Sequence, residues 1–234
     1  MVASVSHIHF VGGEKGGVGK SLVARLLSQF FIDRARPFAA VDADTSHRTL
    51  LRSYEGYTQA VDLDVFASAD EIANRALAAD RSVVVDLPAQ SSRALERWMQ
   101  SVDLVRFCRE GAIGLTLWHV TDGTFDSVRD LERSLHLWRD SFTFVAVRNH
   151  GRGRDFSLFD ESEGRRHVQE RGRVVDLPEL DAAAMSRIDR TCASFWAAVN
   201  ATEGELALTP MQRQRTKMWL DRCYGALGAL EGVG

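Results

Sequence analysis

The string Gly12-Gly13-Glu14-Lys15-Gly16-Gly17-Val18-Gly19-Lys20-Ser21 constrains this chain more than any other stretch. Before it lies an apolar run, 7–11. After it, over 20–34, Val23, Leu26, Leu27, Phe30 and Phe31 recur at helical spacing. A strand that turns through glycines straight into a helix brings backbone N–H groups and the positive helix end to one point. No Cβ stands in the way of an approaching anion. The spacing therefore predicts a phosphate cradle in which Lys20 reaches the β- and γ-phosphates of a nucleotide and the Ser21 hydroxyl binds Mg²⁺. Glu14, Lys15, Gly16, Gly17, Val18, Gly19, Lys20 and Ser21 are the candidate binding residues.

The remainder alternates between strand-like and helix-like segments, the pattern of an α/β fold with a mostly parallel central sheet and helices on both faces. Pro37 ends the first helix, and strands are expected at 38–41, 61–66, 82–87, 113–120, 142–147 and 174–177. Val83, Val84 and Val85 are consecutive β-branched residues, as in a strand buried on both faces. Helices are expected near 69–79, 125–138, 182–200 and 210–230. With 234 residues, no repeat and no convincing linker, the chain reads as one domain over 1–234, its C-terminal helices (about 182–230) packed on it or carrying a partner or DNA patch.

The general phosphate-loop pattern has glycine six residues before the lysine, where this chain has Glu14. The string Lys15-Gly-Gly-Val-Gly-Lys-Ser resembles instead the deviant Walker A motif of the ParA/MinD ATPases, the partition and positioning family, whose signature is the early lysine. The resemblance covers about 8–178 and is sharpest at 15–21. It implies ATP as the nucleotide and a homodimer in which two ATP-bound subunits face each other. Lys15 would then cross to the partner's phosphates, so that dimerisation depends on the charge it neutralises. Val-Asp-Leu-Pro-Ala-Gln around Asp86 looks like the family's Walker B and switch II, with Asp86 holding a Mg²⁺-bound water. Asp42 and Asp44 match its D-x-D switch I, which implies that Asp44 orients the attacking water and Asp42 supports the metal shell. Thr45-Ser46 replaces the usual Pro-Gln. Asn149, at a strand end, and Pro178 fall where relatives hold the adenine, and the absence of an Asn/Thr-Lys-x-Asp string favours ATP over GTP. The alternative for Asp86 and Asp44 is a cap on the segments that follow them, and for Asn149 a turn.

A net charge of −3 excludes a protein coated in positive charge, so nucleic-acid binding would need a local patch. Arg148, Arg152 and Arg154 form one basic cluster; Arg213, Arg215, Lys217 and Arg222 form another. For the C-terminal stretch three readings stay open: a helix packed on the domain, a DNA-binding patch, or a membrane-attached amphipathic helix with Trp219, Leu220, Tyr224 and Leu227 on its apolar side. Membrane attachment is the weaker case, because this is no bare basic tail. Cys108, Cys192 and Cys223 lack cluster spacing, which speaks against a metal-carrier or electron-transfer ATPase. No signal-peptide pattern precedes the first strand, and a reducing cytoplasm is expected. His47 and His119 have no partner spacing for a metal or a triad and read as structural. Family members drive partition, transfer or positioning of a large cargo such as a plasmid or a protein complex. They hydrolyse ATP slowly until a partner protein stimulates them. A ligase or synthetase of the same fold would need a substrate pocket that no motif supplies.

Overall fold

A computed structural model describes residues 6–78 and 82–228. Within them, seven strands form one sheet: β1 (His7–Gly12), β2 (Phe38–Asp42), β3 (Thr58–Ala60), β4 (Ser82–Asp86), β5 (Gly114–Thr121), β6 (Thr143–Asn149) and β7 (Arg173–Leu177). Their order is β3-β2-β4-β1-β5-β6-β7, with every pairing parallel. Parallel neighbours need crossovers, and the helices supply them on both faces.

The two-residue alternation of side chains sorts the strands between two apolar cores. Ile8, Phe10, Val83, Val85 and Leu117 face a core closed by α3 (Phe66–Leu77), α4 (Ser92–Ser101), α5 (Leu104–Glu110), α6 (Phe125–Trp138), α7 (Ser157–Glu161) and α8 (Glu163–Arg171). Val11, Val84, Trp118, Val120 and Val147 face the other, closed by α1 (Lys20–Asp33), α2 (Thr49–Ser53), α9 (Ala182–Arg190), α10 (Phe195–Asn200) and α11 (Pro210–Leu227). Val83–Val85 is thus buried on both faces, as its composition predicts.

Two expected elements are placed differently. The strand expected at 61–66 is the short edge strand β3, and α3 already begins at Phe66. Val61 and Leu63 are buried, but from the connecting turn rather than from a strand. The helix expected over 182–200 breaks into α9 and α10. Cys192 takes a left-handed φ of 51° between them, and the Ser194 side chain caps α10 by accepting from the Ala197 amide. Residues 79 and 230, the expected ends of two helices, lie outside the described residues.

The C-terminal helices dock on α1 through polar residues spaced one turn apart. The buried Arg25 guanidinium donates to Asp189 Oδ1 at 2.7 Å and stacks on Phe195. Gln29 Oε1 accepts from the Trp196 amide at 2.9 Å. Asp33 Oδ2 accepts from the Tyr224 hydroxyl at 2.7 Å. Trp219, Leu220, Tyr224 and Leu227 are buried against the domain. The apolar side once open to a membrane reading is therefore occupied by the chain itself. Among the described residues no helix is long and apolar enough to cross a membrane.

Candidate nucleotide site

All strands are parallel, so the C-terminal ends of β1, β2, β4, β5, β6 and β7 open on one rim, where a doubly wound sheet places its ligands. The glycine loop leaves β1 there and enters α1 through Gly19 at φ 106°. Any side chain at Gly19 would be strained by that angle, and its Cβ would lie 2.3 Å from Asn149 Nδ2. No side chain caps the N-terminus of α1, and its first turn carries no acidic residue, so the helix end stays free for an anion. Lys20 folds back over the loop and donates from Nζ to the Lys15 carbonyl at 2.8 Å. Burial lowers the Lys20 pKa, while Asp86, Asp44 and Glu14 pull it back up in part.

Beneath the loop, Asp86 ends β4 in full burial, and neither of its carboxylate oxygens has a hydrogen-bond partner. Burial is the main force that lifts its pKa to about 8; the Ser21 hydroxyl and the Lys20 cation, both nearby, oppose that rise. Asp42 faces Asp86 across the β2–β4 register. Its oxygens are already taken, Oδ1 by the Asp44 amide at 3.0 Å and Oδ2 by the Leu51 amide at 2.9 Å. Asp44 Oδ1 accepts from the amides of Ser46 and His47, and Oδ2 meets His47 Nδ1 at 3.1 Å. Partial burial works against ionisation of Asp44, but the His47 and Ser46 amides and the His47 ring outweigh it and hold the carboxyl below its ordinary range. The D-x-D segment is thus folded onto its own turn.

An orphaned, buried carboxylate costs free energy unless a cation completes it. Asp86 beside Ser21 fits Mg²⁺, a metal usually held by one or two protein oxygens together with water and nucleotide phosphates. Among the described residues, no three His, Cys, Asp or Glu side chains form a group that could hold a metal by themselves.

Lys15 does not point into bulk water. Its Nζ donates to Asp122 Oδ2 at 2.6 Å and to Thr124 Oγ1 at 2.7 Å, in the turn between β5 and α6. The two side chains are 30% and 13% exposed. Burial alone would raise the Asp122 carboxyl, but hydrogen bonds from Lys15, Ser127 and Thr124 outweigh it and bring the pKa to about 2. Glu14 reaches the opposite way: Oε1 accepts from the Ser92 amide at 3.0 Å and from the Ser92 hydroxyl. It caps the first turn of α4 from outside, where Ser91 makes no side-chain cap.

At the ends of β6 and β7, Asn149 is buried and donates from Nδ2 to the Val18 carbonyl at 2.7 Å, while its Oδ1 accepts from the Gly151 amide. It braces the loop directly. The Pro178 carbonyl accepts from Trp219 Nε1 at 2.6 Å and so joins this rim to α11. His119 is buried, and a Cβ at Gly13 would lie 3.6 Å from its ring. Arg148 is neutralised by Asp176 and Asp160 rather than left as part of a free basic patch.

Sequence reasoning brought Lys15, Lys20, Ser21 and Asp86 to one rim. It missed Asp122, Thr124 and the Glu14–Ser92 link. Only the β5 register could have placed Asp122 beside the loop.

The fold, an all-parallel seven-stranded sheet between two layers of helices, is the one seen in solved MinD structures. The chain aligns with the MinC:MinD cell division protein complex of Aquifex aeolicus at a TM-score of 0.55, with 14% identity, 94% of this chain and 96% of that one. It aligns with the septum site-determining protein MinD of Pyrococcus horikoshii, solved with Mg-ADP, at 0.51, with 15% identity over 94% and 97% of the two chains. In sequence it is 25% identical over 178 residues to Protein MobD of Acidithiobacillus ferrooxidans, across 74% of this chain and 78% of that protein. No family model matches.

Proposed function

We propose that this chain is an ATPase that binds Mg²⁺-ATP in the loop 14–21 and closes on a second copy when the nucleotide is a triphosphate. Slow hydrolysis then ends that state in the service of partition, transfer or positioning of a cargo. The observation that carries the reading is the fully buried Asp86 carboxyl beside the Ser21 hydroxyl, beneath an uncapped helix N-terminus.

Amides of the loop and the Lys20 ammonium would bind and orient the phosphates, with Ser21 and Asp86 holding the metal. The metal would neutralise charge on the phosphate oxygens. Asp44 would orient a water once its own turn opens, with Asp42 keeping the segment anchored. Asn149 and Pro178 form the base-side edge. Lys15 is the cation for the partner's triphosphate. The likeness to MinD structures, one with Mg-ADP and one with MinC, supports a nucleotide, a divalent metal and a protein partner. Arg215, Lys217 and Arg222 are exposed on α11, Arg215 beside Asp181, and non-specific DNA is a surface that such cations would hold.

Thermal unfolding with Mg²⁺-ATP tests the nucleotide site. A bound ligand at about 100 times its Kd stabilises by about 2.7 kcal/mol. The wild-type chain should show such an upward shift and Lys20→Ala should lose it. No shift in the wild type, or an equal shift in Lys20→Ala, contradicts the reading.

A further inference from the structure

We propose that His119 is a positioning residue for the phosphate loop: its Nδ1, an acceptor with no donor in this structure, takes a backbone amide from the start of the loop when nucleotide binds. This rests on the reading of the loop as the nucleotide site.

His119 lies in β5 opposite Gly12 of β1, which places its ring where the loop begins. No side chain separates the two. A Cβ on Gly13, whose φ is 133°, would lie 3.6 Å from the ring Cε1 and 3.9 Å from Nδ1. The other ring nitrogen, Nε2, is 3.2 Å from the Ser127 carbonyl in the first turn of α6. A carbonyl oxygen only accepts, so Nε2 carries the proton, and in the neutral ring Nδ1 is then a lone pair. Burial pushes the His119 pKa down to about 4, against the Ser127 carbonyl and with the Lys20 cation, so that lone pair persists at neutral pH. The residue is 1% exposed, and Nδ1 has no partner among the described residues. An unpaired buried acceptor is costly, and a phenyl ring would fill nearly the same space without one. Packing alone therefore does not account for the imidazole. Lys20 Nζ is meanwhile spent on the Lys15 carbonyl, a bond it must leave to reach a phosphate. Its release frees the peptides at 13–15 to turn. The two amides that flank the Gly13 Cα, its own and that of Glu14, are then the donors for Nδ1. An acceptor that pairs only in the nucleotide-bound loop favours that loop, and so favours the nucleotide.

The test is calorimetric titration of the full chain with a non-hydrolysable ATP analogue and Mg²⁺, in three variants that divide the two ring nitrogens. His119→Phe lacks both. His119→Gln keeps a donor near the place of Nε2 and has no acceptor at that of Nδ1. His119→Asn keeps an acceptor near Nδ1 and loses the contact with Ser127. His119→Phe and His119→Gln should bind about fivefold more weakly than the wild type, the worth of one hydrogen bond, while His119→Asn stays within about twofold. In chemical denaturation without nucleotide, His119→Phe should match or exceed the wild type, because its unpaired acceptor is gone. Affinity and stability then move apart, which a merely structural role for His119 would not produce. If His119→Phe does not fold, the comparison of His119→Gln with His119→Asn carries the test. Wild-type affinity in a folded His119→Phe or His119→Gln, or an equal loss in all three variants, overturns this proposal and leaves the functional reading intact. A wild type that does not bind the analogue overturns both.

Discussion

Asp86 is a buried acid whose burial the Ser21 hydroxyl and the Lys20 ammonium offset in part. Its pKa of about 8 lies above the ordinary carboxylate value, so between roughly pH 4 and pH 8 the folded chain binds a proton that the unfolded chain does not. The sign follows: the contribution of Asp86 to stability is complete below the unfolded pKa and is lost as pH rises through about 8. Asp86→Asn has no such proton to lose. In chemical denaturation without nucleotide, wild-type stability relative to Asp86→Asn should decline from pH 4.5 to pH 8.5, by on the order of a few kcal/mol. A difference that stays flat with pH would show that the carboxyl is solvated. At this scale the sequence was legible where function lies in short spacing. Gly19, Lys20 and Ser21 are neighbours in the chain, and backbone geometry alone aims them. Lys15 was legible as a cation but not as a paired one, because Asp122 is 107 residues away and reaches it only through the β1–β5 register. Asn149 was placed at this rim for a base-side reason; its observed hydrogen bonds go to the Val18 carbonyl and the Gly151 amide.

Among the elements, the link from Glu14 to α4 joins the phosphate loop to the segment that begins at Asp86. The Gln90 amide also donates to the Glu14 carbonyl, and Gln90 takes a left-handed φ of 60°. Glu14→Gly would restore the general phosphate-loop pattern and remove the external cap of α4. Loss of a helix cap costs about 1 kcal/mol. Hydrogen exchange should accordingly speed up at the first turn of α4 and at 87–92, while α6 is unaffected. Equal protection in both proteins would show that Glu14 is a bystander. The sheet was readable because consecutive apolar, β-branched residues suit a strand buried on both faces, the usual case in a parallel sheet. The edge strand β3 was misplaced by sequence because Val61 and Leu63 are as apolar as strand residues yet are buried from a turn. The break between α9 and α10 was signalled locally by Ser194, a residue suited to a helix start, while nothing in Cys192 itself announces a left-handed turn.

For the whole molecule, the loop, the Lys15–Asp122 pair and the folded D-x-D turn would belong, on the proposed reading, to a subunit at rest. Each of these contacts occupies a group that the proposed ATP-bound state would use elsewhere. The C-terminal helices lock onto α1, the helix that begins at Lys20, so a change at the phosphate end of α1 has a packed route to α10 and α11. The measurement that tests the account most directly is the molar mass of the wild-type chain and of Lys15→Gln in solution, with Mg²⁺ and either ADP or a non-hydrolysable ATP analogue. The account predicts a doubling of mass for the wild type with the analogue alone, and a monomer for Lys15→Gln that still shows the thermal shift of bound nucleotide. A wild type of unchanged mass with the analogue bound, or a Lys15→Gln variant that dimerises as well as the wild type, would contradict it.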